Sequence, residues 1–391
     1  MEKQKTIHRI ISGISVIAAG ILFLSLAGCG RNSQKYETVS REDAAGTEAE
    51  RLQETDAASE DSVLRIETGT KPSEKDCVSF LFAGDIYLSE HVRNAYTGAG
   101  GIDGVLSEGL RAEIAAADLF AANEEFPFSD RGTPAPDKQF TFRLPVEQVH
   151  LMQEIGTDLV TLANNHALDY GRDALLDTCR VLDEAGILHV GGGENLEEAS
   201  RPEIVEIDGV RFGFLGASRV FPVADWAAAG NRPGMLSAYD GDALCGVIRE
   251  AKKQCDYLTV YVHWGIERNT MPEGYQRTQG KQYIDAGADL VVGSHPHVLQ
   301  GIEYYQGKPI LYSLGNFIFG SSIPETMLVK VRVKTDGSTS LSLVPATSSG
   351  GYTREMEPEK RKAFYQKLES LSEGVRIDET GTVFSAENHS P

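Results

Sequence analysis

Two histidines with one residue between them, His295 and His297, follow a short apolar run that ends at Gly293. The run has the length and residue types of a buried strand, and Gly293 is where such a strand is expected to pass into a loop. Side chains two residues apart at a strand end can face one point, and neutral imidazole is the commonest metal ligand in proteins. The pair therefore favours a metal site, although a turn-capping histidine beside a packed one is the alternative.

Four other predicted strands also end in polar residues able to bind a metal ion. These residues are Asp85, Glu125, Asn165 with His166, and His263. Ligands of open α/β sheets bind outside the carboxyl ends of the strands, and four of the 9 histidines fall at these ends. Carboxylate, carboxamide and imidazole together suit Mn, Fe or Zn better than calcium. We therefore predict one or two divalent transition metal ions, which would activate water and hold a phosphoryl group.

Elements that would position these residues alternate along the chain from residue 78. Short apolar runs predict strands at 78–83, 158–163, 258–262, 290–292, 310–313, 327–333 and 340–344. Amphipathic stretches predict helices at 112–120, 146–155, 173–185, 241–255, 276–286 and 357–371. A hairpin is expected at 204–215 around Asp208-Gly209, a common tight-turn dipeptide. The alternation indicates an α/β domain with a parallel or mixed sheet.

The first 29 residues have the outline of a secretory signal. Basic residues precede a long apolar run that ends in Leu26-Ala-Gly-Cys29. This ending is similar to a bacterial lipobox, which predicts that cleavage leaves Cys29 as the lipid-modified first residue. The alternative is a signal anchor that is not cleaved, because the apolar run is just long enough to span a bilayer. Residues 30–76 are rich in acidic and small polar residues, which predicts a disordered linker. Either reading places the rest of the chain outside the cytoplasm, tethered to a membrane.

Charge and cysteine usage restrict the remaining possibilities. The formal net charge of −20 argues against nucleic acid or an anionic membrane surface as the main partner. Cys77, Cys179, Cys245 and Cys255 lack the spacing of a metal site, so we interpret them as structural or free. Cys245 and Cys255 fall in one predicted helix, about 15 Å apart, too far for a disulfide between them.

Six motifs in order resemble the CapA family of capsule (poly-γ-glutamate) biosynthesis proteins. They are Gly84-Asp85, Asn123-Glu-Glu-Phe-Pro127, Ala163-Asn-Asn-His-Ala-Leu-Asp-Tyr-Gly171, His263-Trp-Gly-Ile-Glu267, Gly293-Ser-His-Pro-His-Val-Leu-Gln300 and Tyr312-Ser-Leu-Gly-Asn-Phe-Ile-Phe319. The resemblance covers roughly residues 78–346. It implies a calcineurin-like metallophosphatase fold, a four-layer αββα sandwich with two mixed β-sheets.

Carried onto this chain, the resemblance implies a division of roles. Asn165, His263 and His295 would bind one metal ion, Asp85 and His297 the other, and Glu125 would bridge the two. The resemblance also implies that His166 assists catalysis by moving a proton to the leaving group. Asn164, Arg143 and Glu267 match family positions, and we expect them to line the cleft and bind substrate. The alternative for Asn164 is a helix cap, and for Arg143 and Glu267 it is a surface salt bridge.

Departures from the calcineurin-like pattern put catalysis in question. The first strand end carries Asp85-Ile-Tyr87 where phosphatases of this fold have Asp-x-His, so one metal position has fewer ligands. The bridging residue is Glu125 rather than the shorter aspartate, and Glu124 places a second charge near the site or pointing away from it. Because function belongs to the site and not to the fold, hydrolysis does not follow from the resemblance.

The resulting expectation is a membrane-anchored extracytoplasmic protein that acts in the synthesis, export or trimming of an anionic surface polymer. Its domain would span residues 77–346, followed by a C-terminal helix and tail at 347–391. If it is an enzyme, the reaction would be metal-dependent hydrolysis of a phosphoester or of a polyglutamate amide. The alternative is a non-catalytic subunit with a degenerate metal site, which binds polymer or a membrane-bound synthase.

Overall fold

Two mixed β-sheets pack face to face at the centre of the computed structural model, which describes residues 63–65, 77–334 and 336–386. The predicted signal segment with Cys29, and most of the predicted linker, lie outside the described residues. The described residues belong to one compact unit. Among them, no helix is both long enough and apolar enough to cross a bilayer.

The first sheet has seven strands. In spatial order they are β1 (Val63–Arg65), β7 (Glu203–Ile207), β8 (Val210–Ser218), β10 (Tyr257–His263), β11 (Leu290–Ser294), β13 (Lys308–Leu311) and β12 (Ile302–Tyr305). Strands β8, β10, β11 and β13 run parallel, so β10 and β11 end side by side, with His263 opposite Ser294.

The second sheet has ten strands. Its main path runs through β18 (Val375–Ile377), β19 (Thr382–Ser385), β16 (Thr339–Ser349), β15 (Ser322–Lys334), β2 (Cys77–Ile86), β3 (Leu119–Glu124), β4 (Leu159–Thr161) and β5 (Leu188–Val190). Two strands lie off this path, β14 (Asn316–Ile318) beside β2 and β17 (Tyr352–Glu355) beside β16. Strands β2, β3, β4 and β5 are parallel, and the remaining pairs on the main path are antiparallel.

All but the last of the helices in the described residues cover the outer faces of the sheets, and the last packs against the core between them. The helices are α1 (Glu90–Ala99), α2 (Glu108–Ala116), α3 (His150–Ile155), α4 (Arg172–Ala185), α5 (Leu196–Ala199), α6 (Gly241–Lys252), α7 (Gly274–Ala286) and α8 (Pro358–Leu371). Short 3₁₀ turns occur at Ile102–Gly104, Val146–Val149 and Ala224–Trp226, and β6 (Gly192–Gly193) pairs with β9 (Gly234–Met235) in a small separate ribbon.

Three apolar layers hold these elements together. Strand β2 contributes to two of these layers. Its Phe80 and Phe82 point between the sheets, whereas Leu81 and Ala83 point towards α1–α4. A strand covered on both faces is apolar at successive positions, as the sequence of β2 is. The third layer packs α6 and α7 on the far face of the first sheet. The structure therefore confirms the predicted four-layer αββα sandwich with two mixed sheets.

Most predicted elements are present, with differences at their ends. The hairpin around Asp208-Gly209 is confirmed, and both turn residues have the positive φ angles, 52° and 80°, that a two-residue turn requires. The helix predicted at 112–120 is wrong in its extent, because it runs from Glu108 to Ala116 and the following residues form β3. The helix predicted to reach Cys255 ends at Lys252. Cys77, Cys179, Cys245 and Cys255 are all free thiols.

Two segments outside the predicted core add strands to the sheets. Val63–Arg65, inside the stretch predicted to be a disordered linker, pairs with β7 as a parallel edge strand. The sequence predicts a helix and tail after residue 346. The structure adds three strands there, because β17, β18 and β19 extend the second sheet. The predicted helix, α8, packs its Phe364 and Leu368 into the core between the sheets. The short apolar runs of the added strands carried too weak a pattern to predict them.

Candidate metal centre

The carboxyl ends of the parallel strands of both sheets meet at one place. From the second sheet, β2 holds Asp85 as its last residue but one, β3 leads into Glu125, and the loop after β4 holds Asn165. From the first sheet, β10 ends in His263, and the loop after β11 holds His295 and His297. All six side chains predicted to bind metal therefore lie in one cluster, which we call the strand-end cluster, although their role as ligands stays a prediction.

Glu125 lies at the centre of this cluster. Its Oε1 atom is 3.9 Å from His166 Nε2, 3.9 Å from His263 Nε2 and 3.8 Å from His297 Nε2. These separations are too long for hydrogen bonds. They match the roughly 3–4 Å between two ligand atoms that share one ion through bonds of about 2.0–2.2 Å. The separations fit a carboxylate that could share one cation with His263 and another with His297.

His263 connects the two sheets at the cluster. Its Nε2 atom lies 2.7 Å from Asn165 Oδ1 and 3.0 Å from His295 Nδ1, and its Nδ1 atom lies 3.0 Å from Ser294 Oγ. Burial and the neighbouring His295 keep the pKa of His263 well below its usual range, and burial lowers the pKa of His295 to about 3. Both rings are therefore neutral at physiological pH, the form in which imidazole binds a metal.

Asp85 and His297 form the second half of the cluster. The Asp85 Oδ1 atom accepts a hydrogen bond of 2.8 Å from Asn123 Nδ2, and the His297 Nδ1 atom lies 2.8 Å from Asn316 Oδ1 and 3.2 Å from Asp85 Oδ2. Burial alone would lower the pKa of His297, but the Glu125 and Asp85 carboxylates outweigh it and raise the pKa to about 10. Without a metal ion, this half of the cluster holds a proton to offset its negative charge.

The backbone around the cluster is held in uncommon conformations. His295 and His297 have positive φ angles of 98° and 58°, which cost about 1–3 kcal/mol each for residues that are not glycine. Glycine permits the close approach of the flanking loops, since a Cβ atom at Gly84 would lie 1.7 Å from the Gly315 carbonyl oxygen and one at Gly293 would lie 2.0 Å from that of Tyr312. Strain of this kind is typical of functional sites.

Unpartnered polar atoms test whether the cluster suits a cation. Both carboxylate oxygens of Glu125 are buried without a hydrogen-bond partner, and the Oδ2 atom of Asp85 has no partner beyond its 3.2 Å contact with His297 Nδ1. Three groups of potential ligands have atoms within 4.8 Å of one another: Glu125 with His263 and His295, Asp85 with Glu125 and His297, and Glu267 with His295 and His297. Buried carboxylates without partners are costly unless a cation pairs with them. The residues therefore fit one or two transition metal ions, with a donor set suited to Mn, Fe or Zn.

His166 lies at the edge of the cluster with a partner that the sequence analysis missed. Its Nδ1 atom is 2.6 Å from Asp169 Oδ2, which also accepts a 2.6 Å hydrogen bond from the Phe142 amide. Burial lowers the pKa of His166 despite the opposing effect of Asp169, so the ring is neutral. The short contact indicates that Nδ1–H donates to Asp169 and leaves Nε2 as the atom that faces Glu125. Asp169 follows His166 by three residues in the same sequence motif.

An aromatic stack fixes the plane of the His166 ring. Phe142 lies parallel to His166 at a centroid distance of 4.1 Å, and Tyr87 lies on the other face of Phe142 at 3.9 Å. Tyr87, which stands where a metal-binding histidine was expected from the phosphatase pattern, therefore packs against this stack.

Lys138 is a second residue that the sequence analysis missed. Its Nζ atom donates to the Asn165 carbonyl at 2.5 Å, forms an ion pair with Asp169, and lies 3.0 Å from His166 Nδ1. Its side chain is 13% exposed, and burial lowers its pKa against the opposing Asp169. The loop that holds it has no regular secondary structure, so no periodic pattern pointed to it.

The predicted substrate-binding residues have different surroundings. Asn164 is fully buried and donates to Asn123 Oδ1 and the Glu124 carbonyl, so a substrate contact would require these hydrogen bonds to break. Arg143 lies 4.0 Å over the Tyr170 ring and donates to the Arg131 carbonyl. Glu267 is exposed and reaches the ligand atoms of His295 and His297.

Neighbouring residues of β3 point to opposite sides of the second sheet. Asn123 faces the cluster, where its side chain lies 3.4 Å from His263 Nδ1. Glu124 is fully buried, its carboxylate has no hydrogen-bond partner, and burial raises its pKa well above the usual range. Alternation along the strand places Glu124 on the side of α4. Its charge is therefore not part of the cluster.

A cavity of about 280 Å³ adjoins the cluster at His297 and Asn316. Its apolar wall includes Ile323, Phe364 and Leu368, and the Lys367–Glu325 ion pair lines it as well. A wider depression of about 590 Å³, at the N-terminus of α6, is lined by none of the cluster residues. Of these two cavities, the smaller one borders the cluster.

Comparison with known proteins identifies similar sequences. The model of a family described as bacterial capsule synthesis protein PGA_cap matches residues 79–321. The capsule biosynthesis protein CapA of Bacillus anthracis is 31% identical over 320 residues, which cover 78% of this chain and 76% of that protein. The PGA biosynthesis protein CapA of Bacillus subtilis (strain 168) is 33% identical over 280 residues, which cover 70% of this chain and 73% of that protein.

Among solved structures, a 5′-nucleotidase from Candida albicans aligns with a TM-score of 0.38 and 14% sequence identity. The alignment covers 68% of this chain and 51% of the nucleotidase.

Proposed function

This chain belongs to the bacterial capsule synthesis (CapA) family, and from this premise we propose that it is a metal-dependent hydrolase acting on an anionic capsule polymer such as poly-γ-glutamate. Hydrolysis would trim or release the polymer during its synthesis and export. The observation that carries the proposal is the buried, unpartnered carboxylate of Glu125, with three imidazole Nε2 atoms 3.8–3.9 Å from its Oε1 atom.

The strand-end cluster contains the residues that would hold the metal. His263, His295 and Asn165 converge on one side of Glu125, and Asp85 and His297 on the other. A divalent metal ion bound there supplies an activated water molecule and offsets negative charge on the bond under attack.

His166 would move the proton that hydrolysis requires. Asp169 holds Nδ1–H, and the stack on Phe142 fixes the ring plane, so Nε2 is directed towards Glu125. We propose that Nε2 accepts a proton from the attacking water and returns it to the departing nitrogen as the amide C–N bond breaks and a C–O bond forms. A positioned histidine of this kind contributes about 10²–10⁴-fold to rate.

Lys138 would make the site suitable for an anionic polymer. The protein has a formal net charge of −20, which by itself repels polyglutamate. Local positive charge is therefore needed, and the Lys138 ammonium, 3.0 Å from His166 Nδ1, adds to that of the bound metal.

The test is hydrolysis by the purified, metal-loaded protein. Polyglutamate would be assayed by chain length and released amine, and a generic phosphodiester would be assayed alongside to distinguish amide from phosphoester cleavage. We expect the protein to shorten polyglutamate, His166→Asn to lower the rate at least about 100-fold, and the exposed His91→Asn control to leave it unchanged. A metal-loaded protein that cleaves neither substrate would contradict the hydrolase proposal and leave polymer binding or assembly with a membrane-bound synthase.

We also propose that the protein is extracytoplasmic and anchored to the cell membrane through a lipid on Cys29. The support is the sequence Leu26-Ala-Gly-Cys29 at the end of the apolar run. Fractionation of cells that produce Cys29→Ser tests this: the lipoprotein reading predicts that the variant loses lipid modification and membrane-anchor processing. A variant processed and fractionated like the native protein would contradict it and favour an uncleaved signal anchor.

A further inference from the structure

Glu267 occupies the exposed side of the strand-end cluster. It lies in the loop between β10 and α7, and its carboxylate comes within 4.8 Å of the ligand nitrogens of both His295 and His297. Glu125 approaches the same two histidines from the buried side. The two carboxylates therefore face the histidine pair from opposite directions.

The loop that holds Glu267 is tied to the histidine turn. The Arg268 amide donates a 2.8 Å hydrogen bond to the carbonyl of Pro296, which separates His295 from His297. The Trp264 amide donates to Ser294 at 3.1 Å on the same segment. Arg268 has a positive φ angle of 63°, so a strained conformation is maintained beside Glu267. The carboxylate is therefore positioned by the backbone and not only by a flexible side chain.

The surroundings of Glu267 do not supply another role for it. Within the described part of the chain, no lysine or arginine forms an ion pair with Glu267. Nearby, both carboxylate oxygens of Glu125 are buried without a hydrogen-bond partner, and such a carboxylate independently favours a bound cation.

We propose that Glu267 is a metal ligand beside His295 and His297 that closes the exposed side of this centre. This inference rests on the proposed metal centre and deepens it. Its carboxylate and the two imidazoles beside it form a mixed oxygen and nitrogen donor set, which suits Mn²⁺ as well as Zn²⁺.

The experiment is a titration of the full chain, stripped of metal, with Mn²⁺ followed by electron paramagnetic resonance, which measures free Mn²⁺. The variants are Glu267→Gln and, as a charge-matched control, Glu359→Gln at the exposed start of α8. We expect Glu267→Gln to weaken Mn²⁺ binding at one site at least about tenfold and the control to bind as the native protein does. Because Glu267 is exposed, its thermal unfolding without metal should match the native protein.

Two results would overturn the inference, and they are distinguishable. If the native protein binds Mn²⁺ and Glu267→Gln binds it equally well, Glu267 is not a ligand while the metal centre stands. If the native protein binds no Mn²⁺, Co²⁺ or Zn²⁺, the metal centre itself fails, and the role of Glu267 fails with it. A change in the Co²⁺ visible spectrum of Glu267→Gln alone would show directly that the coordination shell has lost a ligand.

Discussion

Replacing Glu125 with glutamine separates metal binding from folding, because the side chain keeps its shape and loses its charge. In the metal-free protein two effects oppose each other. A buried carboxylate without hydrogen-bond partners costs the native protein about 1–3 kcal/mol of stability, and the variant relieves this cost. It also removes an attraction to His297 at 3.8 Å, worth about 4 kcal/mol at an effective dielectric constant of about 20. We therefore expect the free energy of unfolding to fall by about 1–3 kcal/mol.

Metal-linked stability should respond far more strongly. A metal ion at 100 times its dissociation constant stabilises the folded state by about 2.7 kcal/mol, which raises the melting temperature of the native protein by about 5 °C. If Glu125→Gln weakens binding about 100-fold, the same metal concentration contributes only about 0.4 kcal/mol. The melting shift should then fall below about 1 °C. Calorimetry with and without Mn²⁺ at pH 7 measures both quantities.

Glu303 provides the matched control. It is also buried, but it accepts a 2.6 Å hydrogen bond from the Tyr312 hydroxyl and pairs with Lys281 at 2.8 Å. Glu303→Gln should therefore lower stability without metal and keep the full metal-induced shift. The reasoning is refuted if Glu125→Gln retains the metal-induced shift. It is also refuted if the metal-free variant loses about 5 kcal/mol, the upper end of the cost of breaking a buried ion pair.

Three further predictions follow from the geometry. His297 is protonated below its pKa of about 10 and must be neutral to bind metal. Mn²⁺ affinity should therefore rise up to about tenfold per pH unit between pH 7 and 9, and calorimetric titrations in two buffers should show a released proton. A pH-independent affinity would contradict this prediction. Phe142→Ala removes the ring that stacks on His166, together with the contact of that ring with Tyr87. Turnover should fall about tenfold or more and stability by about 1–3 kcal/mol, while metal content stays unchanged. Loss of metal would show that the stack supports the ligands instead. Gly84→Ala would place a Cβ atom 1.7 Å from the Gly315 carbonyl oxygen. Urea unfolding should show that the variant is less stable by about 3 kcal/mol or more. An unfolding midpoint equal to that of the native protein would show that the loops can separate freely.

The residues of the cluster could be predicted because strand ends are visible in sequence. Asp85, Asn165 and His263 each follow an apolar run, and parallel strands bring such ends to one edge of a sheet. The meeting of the two sheets at His263 was implied only by the family resemblance. Composition and periodicity do not encode which faces of separate sheets pack together.

Residues that act through tertiary contacts were not predictable in this way. Lys138 and Phe142 lie in a loop without periodicity, and only the folded chain brings them to His166. Glu124 is a different case, because period-two alternation along β3 already places it on the face opposite Asn123. The extent of the helix before β3 was misjudged because Leu119 and Phe120 suit an apolar helix face as well as a buried strand.

Metal content of the purified protein tests the central claim most directly. Elemental analysis after reconstitution would compare the native protein with a His295→Ala, His297→Ala double variant, and circular dichroism would confirm that both are folded. The proposed centre predicts roughly one or two transition metal ions per chain and their loss in the double variant. A folded native protein that retains no stoichiometric metal, or a double variant that retains as much, would contradict it.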